Sequence, residues 1–286
     1  MEITVLGSGT SQGVPVIGCS CPVCTSADSR DRRMRSSLYI KGAAGERAVI
    51  DTGPEFRLQA LGAGLGGLDA VFLTHAHADH VHGLDDIRPL SREKPIPVYG
   101  NRQTITEFRE RFAYIFKTTQ QGGGKPQIDA IPVNGPVRLG NLVFTPIPVK
   151  HGNLDILGWK LEEAPGTQRA PATGPQTPAA PGGQAALYVT DCTGIPQSSY
   201  DLIADRRPPE TAIIGGLRVR PHETHFSFEQ ALRAGLRTGA RRVYITHICH
   251  DHTHRQIEEY CREFTRKNGP AGITMGPAWD GLKVSV

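Results

Sequence analysis

Residues 74–86 read THAHADHVHGLDD and place four histidines and three aspartates within thirteen positions. The apolar run LDAVFL before it, residues 68–73, is short and partly β-branched, the signature of a buried strand. The cluster therefore sits where a strand ends, and loops at strand ends are where sites are built on a rigid scaffold. A polar helix face does not explain the pattern. His75, His77, Asp79 and His80 are spaced i, i+2, i+4 and i+5, which does not line one side of a helix. In an extended segment that then turns, His75 and His77 point one way while Asp79 and His80 swing to the other. Two ligand groups from one loop suit two metal ions.

Three further strand ends carry residues of the same kind: PVKHG offers His151, YVTDC offers Asp191, and YITHICH offers His247 and His250. Joined to the histidine loop they make one set. His75, His77 and His151 would hold one ion, and Asp79, His80 and His247 the second. Asp191 would bridge, because a carboxylate has two oxygens and enough charge to keep two cations close. The donors are nitrogen and oxygen only, so the two divalent ions could be zinc or manganese, with iron also allowed by chemistry.

Three of the six cysteines lie in CSCPVC, as Cys19, Cys21 and Cys24. In a reducing compartment, thiolates at this spacing read as zinc ligands whose fourth partner comes from elsewhere. Cys192, Cys249 and Cys261 are scattered and read as small buried hydrophobes.

A length of 286 residues supports a large core, and 38% apolar with 21% charged residues is ordinary for a globular chain. No stretch approaches the roughly 20 apolar residues of a membrane span, and MEITVLGSGT lacks a basic leader. The expectation is a cytoplasmic protein without a membrane partner. The net charge of +4 favours a small anionic substrate and permits nucleic acid without demanding it. A homodimer is left open. The arginine clusters RDRRMR (residues 30–35) and RVRPH (residues 218–222) are assigned to solvated faces.

Strand-like runs recur as EITVLG, SSLYIKG, RAVIDTG, DAVFLTH and IPVYG, then RQTITEFRERFAYIF (residues 102–116) has helical spacing. VRLGNLVFTPIPVKHG reads as two strands around a Gly-Asn turn. ILGWKLEE and AALYVTDC read as hairpin partners. Between them, residues 164–184 are rich in Pro, Gly, Ala and Thr and lack apolar side chains to bury, which predicts a disordered insertion inside a single domain spanning 1–286. SFEQALRAGLRTG carries Ser227 as N-cap, Gln230 completing a capping box and Gly239 as stop. HRQIEEYCREFTRKNG is a second amphipathic helix. Two successive strand blocks with helices suggest two packed sheets covered by helices.

The motif HAHADH, followed in order by His151, Asp191 and His247, resembles the metallo-β-lactamase superfamily across nearly the whole chain. The resemblance implies an α/β fold, the αβ/βα four-layer sandwich, with a dinuclear metal centre at one edge. Asp51, in VIDTG, matches a residue that orders the histidine loop without binding metal. GTSQGVPVIGCSCPVC followed by RRMRSSLYI resembles the phosphoribosyl cyclic phosphate phosphodiesterases of the carbon–phosphorus lyase pathway. That likeness makes His250 the fourth ligand of one structural zinc with Cys19, Cys21 and Cys24. HFSFEQA is similar to a segment of the ribonuclease Z group, in which a histidine beside the metals contacts phosphate and assists proton transfer. It makes His225 first choice for general acid and His222 second, with Asp79 also counted among the catalytic residues. Phe226 interrupts that likeness. His82, His252 and His254 stay unassigned.

The implied activity is hydrolysis of a small, cyclic phosphodiester by water activated between two divalent ions. The rivals are a ribonuclease Z-like nuclease, a thioesterase or lactonase, and a metal-stabilised binding protein without catalysis. The insertion at 164–184 is poor in Lys and Arg and makes an unsuitable tRNA arm. Cutting it back to a short Gly-containing turn should leave melting temperature and turnover nearly unchanged. A large loss of turnover would mean that the segment serves the cleft.

Overall fold

The computed structural model describes residues 1–118, 124–164 and 185–286. In them fourteen strands form two sheets of seven. The first sheet holds Glu2–Gly7 (β1), Ser37–Lys41 (β2), Arg47–Ile50 (β3), Ala70–Phe72 (β4), Ile96–Gly100 (β5) and Ile128–Pro132 (β6). The second holds Val137–Leu139 (β7), Leu142–His151 (β8), Leu154–Glu163 (β9), Ala185–Val189 (β10), Thr211–Gly215 (β11), Arg242–Thr246 (β12) and Thr274–Pro277 (β13). The last strand, Lys283–Ser285 (β14), returns to the first sheet and pairs with β1. Strand order is β14-β1-β2-β3-β4-β5-β6 in one sheet and β13-β12-β11-β10-β9-β8-β7 in the other. Each is antiparallel at one end and parallel at the other, from β3 to β6 and from β10 to β13.

The parallel strands are apolar on both faces because both faces are covered. In β4, Phe72 points between the sheets and Val71 points outward. In β10, Tyr188 points between them and Leu187 and Val189 outward. The central layer stacks Phe72 on Phe144 with ring centroids 3.8 Å apart and sets Trp159 edge-on to Phe72 at 5.0 Å. Trp159 is fully buried, and its indole N–H donates to the Leu73 carbonyl at 3.3 Å. That bond ties the sheets together one residue before the histidine loop.

Outside the first sheet lie the helices Phe56–Gly62 (α1), Ala78–Val81 (α2), Arg102–Arg111 (α3) and Ala113–Phe116 (α4). Outside the second lie Gln197–Ala204 (α5), Phe228–Arg237 (α6) and His254–Asn268 (α7). Phe56, Val81 and Phe108 pack on Val71, while Ile203, Leu232 and Ile257 share a cluster with Leu187. Helix, sheet, sheet and helix follow in order, which is the four-layer sandwich. The capping box at Ser227 and Gln230 forms, and Gly239 takes a positive φ of 78° beyond the end of α6.

Two readings of the sequence, the helix over 102–116 and the RDRRMR face, need amendment. The helix expected over 102–116 breaks at Phe112, whose φ of −104° and ψ of 36° turn it and Ile115 onto the cluster around Phe108. The two last strands, β13 and β14, fall in different sheets, and Asp280 in the turn between them accepts from the Ser8 N–H and hydroxyl, both at 2.8 Å, and from the Met34 N–H at 2.7 Å. Burial pushes the Asp280 carboxyl up to about 6. The RDRRMR cluster is not one solvated face, because Arg33 is buried and paired with buried Asp31 at 3.0 Å. His254, unassigned from the sequence, is buried against Trp279. β9 and β10 do pair as antiparallel neighbours, while the insertion between them, apart from Ala164, lies outside the described residues.

Trp159→Ala should destabilise the fold by about 3–5 kcal/mol in denaturant unfolding, the usual cost of emptying a large buried aromatic site. Leu61→Ala, at a side chain 66% exposed, should change stability by less than about 0.5 kcal/mol. Comparable losses for the two would contradict the central position given to the indole.

Candidate metal centre

All the expected donors leave from C-terminal strand ends, so parallel register brings them to one edge of the sandwich. Asp51 follows β3. His75 and His77 follow β4, and Asp79 and His80 open α2. His151 ends β8, Asp191 comes two residues after β10, and His247 directly after β12. Three of these positions are left-handed: Asp51 with φ of 61°, Asp191 with 51° and His247 with 57°. Non-glycine residues seldom adopt that conformation, and it turns each side chain sharply off its strand axis into the common cleft.

The donor atoms of His75, His77 and His151 lie within 4.8 Å of one another, and so do those of Asp79, His80, Asp191 and His247. The loop thus divides into the two groups its spacing suggested. Asp191 reaches both: Oδ2 is 3.9 Å from His75 Nε2 and 3.5 Å from His80 Nε2, and Oδ1 is 3.1 Å from His247 Nε2. Despite this crowding, His75 Nε2, His80 Nε2 and both ring nitrogens of His247 are buried with no hydrogen bond. Leaving such atoms unpaired costs about 1–3 kcal/mol each. Divalent ions would satisfy the three Nε2 atoms together, so the residues fit a metal centre.

Neighbouring groups fix the ring orientations. Asp51, fully buried, accepts from the Thr74 N–H, the Thr74 hydroxyl and His80 Nδ1, each at 2.8 Å. This aims His80 Nε2 at Asp79 and Asp191 and leaves Asp51 itself outside both donor groups. His151 Nδ1 donates to the Thr224 carbonyl at 2.8 Å, leaving Nε2 for the cleft. Thr74 and Thr224 had no signal in the sequence, since their roles depend on neighbours far along the chain.

Burial holds His75 well below its ordinary value. Burial acts in the same direction on His80, but Asp79, Asp191 and Asp51 outweigh it and raise that ring well above. His247 likewise overcomes burial through Asp191 and Asp79 and rises to about 9. Without an ion, protons on these rings balance the carboxylates.

His225 Nε2 lies 3.4 Å from Asp191 Oδ2, and its Nδ1 lies 2.8 Å from the Thr224 hydroxyl. His222 is exposed, with its Nδ1 accepting from the Thr224 N–H at 3.2 Å. His225 therefore faces the donor groups, and His222 stands behind it at the rim. His82 is exposed, and His252 is half-buried against Phe228.

A third donor group forms elsewhere. Cys19, Cys21 and Cys24 Sγ lie 3.4, 3.6 and 3.3 Å from His250 Nδ1. A tetrahedral zinc with ordinary Zn–S and Zn–N bonds would set these distances near about 3.6 Å. The Cys24 N–H, pointing at Cys21, is the main cause holding that thiol down to about 6, so it is a ready thiolate. Behind this turn Arg33 donates to the Cys249 carbonyl at 2.6 Å and the His252 carbonyl at 3.0 Å.

The sequence profile of the Beta-lactamase superfamily domain matches residues 46–248. The octanoyltransferase of Porphyromonas gingivalis (strain ATCC BAA-308 / W83) is 35% identical over 252 residues, which is 87% of this chain and 46% of that protein. The chain thus spans about half the length of that curated relative. A crystal structure of a new diphosphatase from the PhnP family superposes with a TM-score of 0.79 at 34% identity, covering 100% of this chain and 97% of that one. Zinc-bound PqqB from Methylobacterium extorquens shares the fold, with a TM-score of 0.69 at 17% identity and full coverage of both chains.

Two outcomes are expected. An ion entering the Asp79 group must displace protons from His80, raised well above its ordinary value, and from His247, raised to about 9, so affinity should rise with pH through the neutral and mildly alkaline range. Metal titration at pH 6.5 and 8.5 should show proton release and tighter binding at the higher pH; equal affinities would count against these ligands. Asp51→Asn should weaken metal binding by about 10–100-fold with the fold retained, whereas Cys21→Ser should lower thermal stability and the tightly held zinc content.

Proposed function

The chain belongs to the metallo-β-lactamase superfamily of metal-binding hydrolases and resembles its PhnP branch, and from that premise we propose that it is a dinuclear phosphodiesterase acting on a small, cyclic phosphodiester. The observation that carries this reading is Asp191, whose two oxygens reach the donor atoms of both histidine groups. Two divalent ions bound there would lower the pKa of a water and neutralise a phosphate oxygen. His75, His77, His151 and Asp191 would hold one ion, and Asp79, His80, Asp191 and His247 the other. The Cys19, Cys21, Cys24 and His250 group would take a separate structural zinc.

The protein's part is to orient donors and to manage the leaving-group proton. Asp51 fixes His80, and the Thr224 carbonyl fixes His151. The Thr224 N–H goes to His222 Nδ1, and the Thr224 hydroxyl lies against His225 Nδ1. As the acid, His225 would be the imidazolium, with Nδ1–H donating to that hydroxyl oxygen and the transferable proton on Nε2, the atom turned toward Asp191; giving it up leaves a neutral ring. That proton is placed to meet a departing alkoxide. His222 is the weaker candidate: partial burial, then His225 and Arg218, keep its pKa below the ordinary value, and His225 stands between it and the donor groups. Hydrolysis through these groups needs no covalent intermediate.

Turnover of bis(p-nitrophenyl) phosphate in added manganese or zinc tests the activity; hydrolysis of thioesters or lactones in its place would overturn the phosphodiester reading. His225→Ala should lower turnover by about 10²–10⁴ on a diester with a poor alkoxide leaving group. It should cost far less with p-nitrophenolate, which departs unprotonated. Metal content should be unaltered. Equal losses on both substrates would assign His225 to phosphate binding instead of proton donation.

A further inference from the structure

One short turn serves both candidate metal sites. His247 Nε2 lies 3.1 Å from Asp191 Oδ1, and three residues later His250 Nδ1 faces the thiols of Cys19, Cys21 and Cys24. Three residues of chain span at most about 11 Å, so a shift of one histidine is felt by the other. The stretch from His247 to Thr253 joins β12 to α7 and belongs to neither a helix nor a strand. Its shape is therefore set by bonds to other segments. His247 needs such support most, because its φ of 57° is one that a non-glycine residue keeps only when its surroundings impose it.

The bonds come from two places. Beyond the end of β1, the Ser8 carbonyl accepts from the Ile248 N–H at 2.9 Å, and the Thr10 N–H donates to the Ile248 carbonyl at 3.2 Å. The second place is Arg33, which is fully buried. Its guanidinium donates to the Cys249 carbonyl at 2.6 Å and to the His252 carbonyl at 3.0 Å. Asp31, paired with it at 3.0 Å, accepts from the His254 N–H at 2.6 Å. Arg33 holds the cysteine side as well. Its backbone N–H and carbonyl pair with those of Val14, both at 2.8 Å, and two residues on the Val16 N–H points at Cys24 Sγ at 3.3 Å. One residue thus touches the segment that brings the cysteines, the segment that brings His250, and the carbonyl two residues beyond His247.

A buried ion pair adds little stability over apolar side chains of the same volume. Stability alone therefore gives no reason for an arginine here. A guanidinium offers several donors in a fixed fork, enough to hold two carbonyls of an irregular turn and a carboxylate together. We propose that the two metal sites are coupled through residues 247–250, so that an ion among Cys19, Cys21, Cys24 and His250 tightens binding at the Asp79 group, with Arg33 as the positioning residue of the coupling. An ion at the cysteine group draws His250 to its thiolates. Arg33 keeps the Cys249 carbonyl from yielding, and His247 is settled facing Asp79 and Asp191. The proposal rests on the two metal sites assigned above and goes beyond that reading by linking them.

Manganese and zinc separate the sites, because thiolates select zinc whereas carboxylates suit manganese. Manganese(II) affinity, read from the spin-resonance signal of the free ion, is measured on metal-free protein and on protein carrying one equivalent of zinc. The zinc-loaded form should bind manganese about fivefold to 150-fold tighter, the usual range for coupling between two sites. Cobalt(II) in place of that zinc shows where the equivalent sits, through the sulfur-to-metal charge-transfer absorption of a thiolate site. Arg33→Met should bring the ratio close to one and Arg33→Lys should keep part of it. Arg30→Met, at the half-buried arginine paired with Asp28 and Glu258, should keep it all. A residue that only supported the fold would change both affinities together and leave their ratio intact. If Arg33→Met fails to fold, Arg33→Lys decides the point, and an undiminished ratio there overturns the role of Arg33. Equal manganese affinities with and without zinc, no charge-transfer absorption from bound cobalt, or a ratio that survives in Arg33→Met overturns the proposal. Equal affinities would leave the dinuclear centre standing, whereas manganese bound in neither state would overturn that centre too. Turnover of bis(p-nitrophenyl) phosphate plays no part in the ratio, so the phosphodiesterase reading stands or falls separately.

Discussion

The Asp51 carboxylate sits beneath the candidate centre with no exposure to solvent, and three donors at 2.8 Å converge on it. Burying a carboxylate is costly unless it is paired and hydrogen-bonded, and burial does push this one above its ordinary pKa. Two of its donors belong to Thr74, so the carboxylate grips the histidine loop at its root. The third is His80, so it also grips the loop one helical turn later. Between these two points the chain has little freedom, and His75, His77 and Asp79 take their directions from it. Removing the carboxylate would leave His80 Nδ1 unpaired in a dry site and release the loop at both ends.

The sandwich supplies the rest of the constraint. Asp51 and the histidine loop come from the parallel end of one sheet, while Asp191 and His247 come from the parallel end of the other. A bond between the sheets at the same edge, from the Trp159 indole to Leu73, sets how far apart the halves stand. The distances from Asp191 to His75, His80 and His247 follow from that separation as much as from their own loops. Packing in the central layer is thus part of the geometry of the site.

Much of this was legible in the sequence. The spacing in HAHADH anticipates the two groups into which its side chains gather because alternation in an extended segment is a local property, and His151, Asp191 and His247 showed themselves as polar residues at apolar strand ends. The cysteine spacing did the same for its cluster. The residues that orient the site were harder to see. Thr74 is an ordinary threonine until the β3–β4 pairing brings Asp51 to it, and Thr224 gains its role only when the β8 end arrives. Arg33 looked like surface because nothing local shows that a chain segment more than two hundred residues later closes over it. The break at Phe112 was hidden for the same reason, being set by the sheet face beneath it. α1 and α5 are too short for periodicity to separate them from loop.

The left-handed backbone at Asp51, Asp191 and His247 bears on how such a chain can change over time. A non-glycine residue held in a sparsely populated region costs roughly 1–3 kcal/mol, and the charge is levied on every folded molecule whether or not substrate is present. Glycine would relax each of these positions at no steric cost. Selection for thermal endurance alone would therefore tend to write glycine into all three and produce a sturdier, inert protein. Aspartate and histidine persist at such positions only while their side chains are in use. In a lineage that has given up the chemistry, these three backbone angles are where the first glycines should accumulate.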